Sequence, residues 1–526
     1  MNVQQKTPHP STPSPGTLST GTQNTGAGPA TPSVIVLGAG VAGLCTAIQL
    51  KKMGVSDITI FEKSGAVGGT WRDNVYPGSG CDVPSHLYSF SFEPNWDWSR
   101  KFGLQHEIEE YLNHCADKYD VRRHIRFNTE VTDARFDEAT GLWHVCTADG
   151  EERTANVLVS GVGQLNRPAY PNIPGLDDFK GIKFHSARWD HTQDLAGKRI
   201  AVIGNGASAI QFVPEIAPKV KQIHIFQRSA NWIVPKPDRL YSSTEHKIYR
   251  LFPWLVRLHR YWLYLMHERN FLAFIKDHWF GNLFKKAFHQ ALDEHIQDPK
   301  LKEVLTPDYP VGCKRILLTN DWLPTMARDN VEVVTAPIER VTVTGVVAAD
   351  GAEREVDAII YATGFEATDF LSPINIEGRD GRTLNQAWKD GAEAHRGIAL
   401  SGFPNFFMLY GPNTNLGHNS IIFMIECQVN YIKGCITRLK EHGLAYMDVK
   451  KDAMTAFNAQ LQQDIAKSVW ATSCTSWYKT GAGKVTNNWS SFTLKYWWQT
   501  RAPNPAEFNE TAWSELEEKD TAKQAA

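Results

Sequence analysis

Two glycine-rich turns, each set between an apolar run and a helix-compatible stretch, predict an α/β chain of two Rossmann-like dinucleotide-binding domains. A third observation adds a helical insertion to the second domain: between about residues 241 and 305, aromatic side chains recur at helical spacings among Arg, His and Lys. With 526 residues, 42% of them apolar, the chain can bury the cores of two or three domains.

Residues 1–32, rich in Pro, Ser, Thr, Gly and Gln and almost without charge, are expected to be a disordered tail. Residues 33–174 then open the first nucleotide domain. Gly38, Gly40 and Gly43 in VIVLGAGVAGL follow a strand-like run and lead into a helix-compatible stretch from Val41 to Met53. The glycines permit the tight turn, a close approach of backbone to pyrophosphate, and packing of helix on strand, while the helix N-terminal amides face the phosphates. Glu62 ends the next run, ITIFE, near the spacing of about 20 residues expected for an acid that bonds a ribose hydroxyl. RFNTEVTDARF, GLWHVCTA and ANVLVSGVG supply further strands.

Residues 175–364 form the second domain, with the insertion at about 241–305. Its turn is Gly204, Gly206 and Ala209 in RIAVIGNGASAI, where alanine meets the need for a small third residue. The following strand ends IHIFQRS where the first domain reads ITIFEKS, so Gln227 and Arg228 replace the acid. Loss of the carboxylate removes repulsion toward a ribose 2′-phosphate, and a guanidinium can grip that phosphate with two hydrogen bonds; NADPH is therefore favoured over NADH. The plainer reading of Arg228 is a solvated surface arginine. Two fingerprints mean two dinucleotides, and FAD in the first domain with NADPH in the second suits them.

In the insertion, Trp254, Leu258, Trp262, Leu265 and Phe271 fall on helical spacings. Core or lid packing is the first reading, and membrane-surface contact is the weaker one. Residues 365–502 return to complete the FAD domain and carry a loop around Trp477, with Gly481 and Gly483 giving it freedom. The segment Trp489 to Trp498 either lines a substrate cavity or covers the core. Residues 503–526 are expected to be a polar tail, helical or frayed.

A net charge of −2 argues against nucleic acid as a partner. The eight cysteines have no CxxC or zinc-type spacing, so free thiols in a reducing, cytoplasmic setting are expected and a metal site is not. No run approaches the roughly 18–20 apolar residues of a spanning helix.

Between the fingerprints, Phe179, Gly181, His185, Trp189 and Asp190 spell FxGxxxHxxxWD. With GGTW at Gly68 to Trp71, YPG at Tyr76 to Gly78, Cys81-Asp82, Lys314-Arg315, DAIIYATGF at Asp357 to Phe365 and GPNTNLGHNS at Gly411 to Ser420, the chain resembles the type I Baeyer-Villiger monooxygenases, a class B flavoprotein monooxygenase family. The likeness runs from about Ser33 to about Arg501. Two departures are Arg72-Asp73, where many members carry aromatic residues, and Gly80, where an arginine is common. They leave the pocket lining open.

The resemblance implies an NADPH- and O2-dependent enzyme that inserts one oxygen beside a ketone carbonyl through a flavin peroxide, giving an ester or lactone, with sulfoxidation as a side activity. It implies Arg315 as the fixed cation and Asp82 as the group that holds it. Turn capping is the alternative for Asp82. Gly69, Thr70, Trp71, Tyr88, Val131 and Asn413, with Asp82 and the first fingerprint, would contact FAD. Ser208, Lys314, Arg315 and Trp477, with the second fingerprint and Arg228, would contact NADP. His185 and Trp189 would couple cofactor movement to closure. The nearest rival is a monooxygenase that oxidises amine nitrogen or sulfur, against which Trp189 and Arg315 stand; a flavin-bound redox sensor would need neither Asp82 nor Arg315.

Overall fold

The computed structural model describes residues 31–472, 474 and 476–525 and contains two parallel five-stranded sheets. All but the last two residues of the expected tail, 1–32, lie outside the described residues. The first sheet begins with β1 (Val34–Leu37), β2 (Ile58–Phe61), β3 (Ile125–Arg126) and β4 (Val157–Ser160). The second contains β5 (Ile182–His185), β6 (Arg199–Ile203), β7 (Gln222–Phe226), β8 (Val331–Val334) and β9 (Ala358–Tyr361). β10 (Phe406–Met408) then returns to the first sheet. The orders are β10-β4-β1-β2-β3 and β8-β7-β6-β9-β5.

Register aligns the apolar runs. Val34 lies opposite Ile58 and Val157, and Ile200 opposite Ile223 and Ala358. β1, β2, β4 and β9 are buried at every residue, which explains why their sequences are continuous in apolar character rather than alternating. Helices α1 (Val41–Lys52) and α2 (Ala209–Ile216) follow the two glycine turns. By contrast, the antiparallel strands 131–137 and 142–147 do alternate, because only one face, with Phe136, Trp143 and Val145, enters a core.

The insertion is helical as the pattern predicts: α3 (Ser243–Leu251), α4 (Pro253–Arg269) and α5 (Gly281–His295). A capping box of Ser242 and Glu245 starts α3, and Pro253 at the first turn starts α4. The expected core or lid packing holds for Phe271, which is buried, but Trp254, Leu258, Trp262 and Leu265 are exposed. α4 buries Val256 and Leu263 on its inward side, so its remaining apolar residues exceed what one face can cover. Periodicity identifies the helix without saying what stands against it.

After α6 (Ile421–Glu441), the polar tail expected over residues 503–526 is helical over Trp513–Ala525, as one of its two readings has it, but not free along its whole length. Residues 508–512 form a strand paired antiparallel with 444–449, and Phe508 and Leu516 are buried. A lone five-residue run among polar residues gives too little local signal; pairing with a distant strand decides it.

The 179–190 motif lies where the chain passes between the sheets. Phe179 is buried, and a Cβ on Gly181 would stand 2.5 Å from its ring and 2.6 Å from the Asp357 carbonyl oxygen. Only glycine fits there. His185 ends β5 opposite Tyr361, with its ring against Tyr170 and Phe365. Those two neighbours belong to the paired segments that connect the domains, joined by the Ala169 N–H to the Gly364 carbonyl at 2.9 Å. Trp189 packs on Phe184 and Phe212, and Asp190 caps the turn at Thr192 and Gln193.

Burial pushes the His185 imidazole down to about 4, and those of His86 and His418 to about 3. His185 is therefore neutral across ordinary working pH. Its Nδ1 accepts the Ala187 N–H at 3.1 Å, which puts the ring proton on Nε2. As pH falls below about 6.5, the unfolded chain binds protons that these rings refuse, so stability should fall toward pH 4. For His185 alone the loss reaches about 2 kcal/mol by pH 5. Comparing denaturant midpoints of the protein and His185→Gln at pH 7 and 5 checks this: the variant should lose less over the interval, and equal losses would refute the assignment. Truncation after Arg501 should cause aggregation or a clear drop in Tm through loss of the 508–512 strand, whereas truncation after residue 520 should be tolerated; equal melting of both would mean that the strand pairing contributes nothing.

Candidate active site

The first glycine turn builds a cradle. Gly38 has φ of +94°, and a Cβ there would press on the Gly161 carbonyl oxygen at 3.0 Å. A Cβ on Gly43 would collide with the Gly38 carbonyl, so its role is packing of α1 on β1. A cavity opens above this turn, lined by Gly38, Gly40, Glu62, Gly69, Thr70 and Trp71, and further on by Tyr88 and Val131. The α1 amino end faces it without a side-chain cap. This arrangement fits a dinucleotide pyrophosphate, which would meet bare backbone and helix amides.

Glu62 lines the cavity, but its carboxylate also organises the turn. Oε2 accepts the Ala39 N–H at 2.8 Å, and Oε1 accepts from the Ser64 N–H at 2.9 Å and from Arg72 at 3.1 Å. Arg72, the departure from family pattern, thus ties to Glu62, Asp73 and the Ala66 carbonyl. Trp71 Nε1 donates to the Tyr88 hydroxyl at 3.2 Å. Asn413, expected near FAD, uses its side chain elsewhere. Its φ is +57°, it is buried, and its side-chain amide donates to the carbonyls of Val485 and Asn488. That amide joins the GPNTN turn to the 485–488 segment instead of facing the cavity.

The second turn repeats the first. A Cβ on Gly204, whose φ is +101°, would lie 2.5 Å from the Ala362 carbonyl oxygen, while Gly206 faces open space. Ser208 caps α2 by backbone position, and Ala209 is buried. Gln227, at the place of Glu62, is bound by Asn205 and donates to the Val304 carbonyl, leaving Arg228 exposed. Lys314 Nζ reaches Ser229 Oγ at 2.6 Å and lies over the Tyr309 ring. Burial and the nearby Arg228 charge hold its amine below the usual lysine range, with Asp308 opposing. Arg228, Ser229 and Lys314 therefore form a patch suited to a phosphate dianion.

Between the two nucleotide sites stand Asp82 and Arg315. Arg315 donates from Nη2 at 2.6 and 2.8 Å to the two Asp82 oxygens and from Nε at 3.1 Å. Their side chains are 25% and 36% exposed, so the pair faces open space rather than a sealed core. The Asp82 charge raises the guanidinium above its ordinary value. Burial would raise the Asp82 carboxyl, but the Arg315 charge and hydrogen bonds win and hold it below the usual carboxylate range. Both groups are charged at neutral pH.

Several neighbours were not singled out from sequence. Lys236 lies close enough to Asp82 to sense its charge and donates to the Cys81 carbonyl at 3.0 Å. The Tyr410 and Tyr478 phenols lie close enough to Arg315 to sense its charge and are both pushed upward by burial, Tyr410 to about 12, while the Tyr410 hydroxyl donates to Asn415 Oδ1 at 2.7 Å. Lys236 lies in a segment without a motif, whereas Tyr410 and Tyr478 adjoin the GPNTNLGHNS stretch and Trp477, so that closer reading of those two segments could have found them. Trp477 packs against Tyr478 with ring centroids 4.4 Å apart. The expectation of free thiols is corrected at Cys313 and Cys474, which are paired, joining the Lys314-Arg315 segment to the one that carries Trp477; the other six cysteines are free. A separation of 161 residues hides such a pair from sequence spacing. Among the described residues no His, Cys, Asp and Glu group is placed to hold a metal ion, and no helix is long and apolar enough to cross a membrane.

Comparison with known proteins agrees with this geometry. Residues 31–374 match the family described as FMO-like, flavin-binding monooxygenase-like. A Baeyer-Villiger monooxygenase of Pseudomonas aeruginosa is 45% identical over 88% of each chain. Among solved structures, an oxidised steroid monooxygenase bound to NADP superposes with a TM-score of 0.81 at 32% identity, covering 91% of this chain and 99% of that one. OTEMO in complex with FAD and NADP gives 0.82 at 29% identity, with the same coverage. A shared fold, two matched nucleotide cradles and this identity over most of both chains lead to one conclusion: the chain belongs to the flavin-binding monooxygenase-like family and, within it, to the Baeyer-Villiger monooxygenases.

Proposed function

We propose that this enzyme uses FAD, NADPH and O2 to convert a ketone to an ester or lactone, and that it oxidises sulfides as a side activity. The overall balance is ketone, O2, NADPH and a proton giving ester, water and NADP+. Bound FAD, once reduced by NADPH, supplies the electrons that activate O2. The observation that carries the reading is the Asp82–Arg315 pair, a fixed and partly exposed cation that ties the segment after the first cradle to the Lys314 patch beside the second.

Gly38, Gly40, Gly69, Thr70, Trp71, Tyr88 and Val131 would hold FAD, and Glu62 would order the turn that receives it. Gly204, Gly206, Ser208 and Ala209 would receive the NADPH pyrophosphate, Arg228 and Lys314 its 2′-phosphate, and Trp477 would cover it. Arg315 keeps its charge at any working pH, so its guanidinium can stabilise the negative charge that develops on the substrate oxygen. Asp82 holds that guanidinium by two oxygens and prevents it from swinging freely. The apolar and aromatic surroundings of Tyr410, Tyr478 and Trp477 would limit water. His185, neutral and buried, is a positioning residue at the domain connection.

Incubation with NADPH, labelled O2 and a panel of ketones and sulfides should give esters carrying one labelled oxygen, read by mass spectrometry. Sulfoxide with no ester from any ketone would overturn the ketone reading. Arg315→Ala should cut ester formation by about 100- to 1,000-fold, the scale of one lost oxyanion donor, while NADPH still bleaches the flavin; unchanged ester yield would remove Arg315 from the mechanism. Arg228→Ala and Lys314→Ala should each raise the KM for NADPH about tenfold or more with little effect on that for NADH, a charge-assisted hydrogen bond being worth about 1.5–3 kcal/mol. Equal changes for both nucleotides would place these side chains away from the 2′-phosphate.

A further inference from the structure

The helical insertion presents an apolar stripe to solvent. Along α4, Trp254, Leu258, Tyr261 and Leu265 follow one another at steps of four, three and four residues, and with Trp262 beside them they are 54–67% exposed. A second stripe, on α7 (Thr493–Gln499), consists of Leu494, Trp497 and Trp498. The two are joined. Tyr264 hydrogen-bonds Thr493 at 2.9 Å, and Glu268 accepts from Thr493 and from the Leu494 N–H. These bonds fix the end of α4 against the start of α7, so the exposed apolar residues of both helices flank one junction. Monomeric soluble proteins rarely leave so many large apolar side chains contiguous and bare.

The two stripes themselves carry almost no acid, and carboxylates nearby are tied up in ion pairs, Asp97 with Arg250 of α3 and Asp464 with Lys495 of α7. Glu268 is the single acid of α4, and it is buried; α7 has none. Exposed cations border the apolar residues: Arg257 and Arg269 on α4, Lys247 on α3, and Arg501 stacked on Trp498 at 4.1 Å. A second copy of the chain docked symmetrically on this face would set this cationic border against itself with no carboxylate on α4 or α7 to neutralise it. An anionic lipid surface meets both demands, taking Trp, Tyr and Leu at the headgroup boundary and pairing its phosphates with Arg and Lys.

We propose that the α4–α7 face docks this enzyme onto anionic lipid bilayers, lying on the surface without crossing it. The apolar excess that periodicity assigned to core packing thereby acquires a partner.

The test is co-sedimentation of the FAD-loaded full chain with phosphatidylcholine vesicles containing phosphatidylglycerol, beside pure phosphatidylcholine, at low and high salt, with tryptophan emission followed in parallel. Binding to the anionic vesicles, a blue-shifted emission and weakening by salt are expected. The variant W254S/L258S/Y261S/L265S should bind at least tenfold more weakly while keeping its flavin content and NADPH oxidation, and R257E/K247E should lose the preference for anionic vesicles. Absence of vesicle binding, or binding that the fourfold variant retains, overturns the proposal. A dimer in solution that the same variant converts to monomer, without vesicle binding, assigns the face to a second copy and overturns it equally.

Discussion

One ion pair sets the geometry on which the site depends. Asp82 and Arg315 are 233 residues apart in sequence, one following the first nucleotide cradle and the other lying in the second domain, and their three hydrogen bonds place a cation between the two. Because the pair is only partly open to water, either charge left without the other would lose its main compensation. Each therefore requires the other, and the requirement constrains how the two domains meet.

The domain connection imposes the second constraint. Two chain segments cross between the sheets side by side, and the His185 ring rests on Tyr170 of one and Phe365 of the other. Because burial keeps that ring neutral, the contact is insensitive to pH over the range in which flavin chemistry runs. Gly181 admits Phe179, Trp189 anchors on Phe212 of α2, and Asp190 closes the turn. The motif is thus an assembly of packing and capping roles around a joint. On the proposed function it would reach the chemistry by holding the two nucleotide sites in register.

Much of the architecture was legible because nucleotide cradles leave local signatures. Gly38 and Gly204 sit at positive φ with a carbonyl where a Cβ would go, so the residue type is dictated within a few positions of the turn. What escaped was non-local. The 508–512 strand exists through pairing with 444–449, the Cys313–Cys474 pair through the meeting of two loops, and the Asn413 amide through carbonyls at 485 and 488. Lys236, Tyr410 and Tyr478 approach Asp82 and Arg315 from three different segments. The amphipathic spacing of the insertion was clear, yet the direction of its apolar stripe was not, since periodicity is the same whether a helix faces a core or solvent.

By itself the sequence determined the two glycine turns, their apolar strands, the helical insertion and the family motif, because each rests on side-chain size or periodicity within a short span of chain. The tertiary structure alone decided that Asp82 grips Arg315, that Glu62 organises its own turn while lining the cavity, that Arg228 and Lys314 share one patch around Ser229, and that α4 turns its aromatic residues outward. These are statements about which distant groups meet, and the free energy of such meetings depends on burial and partner charge that no short span of sequence contains.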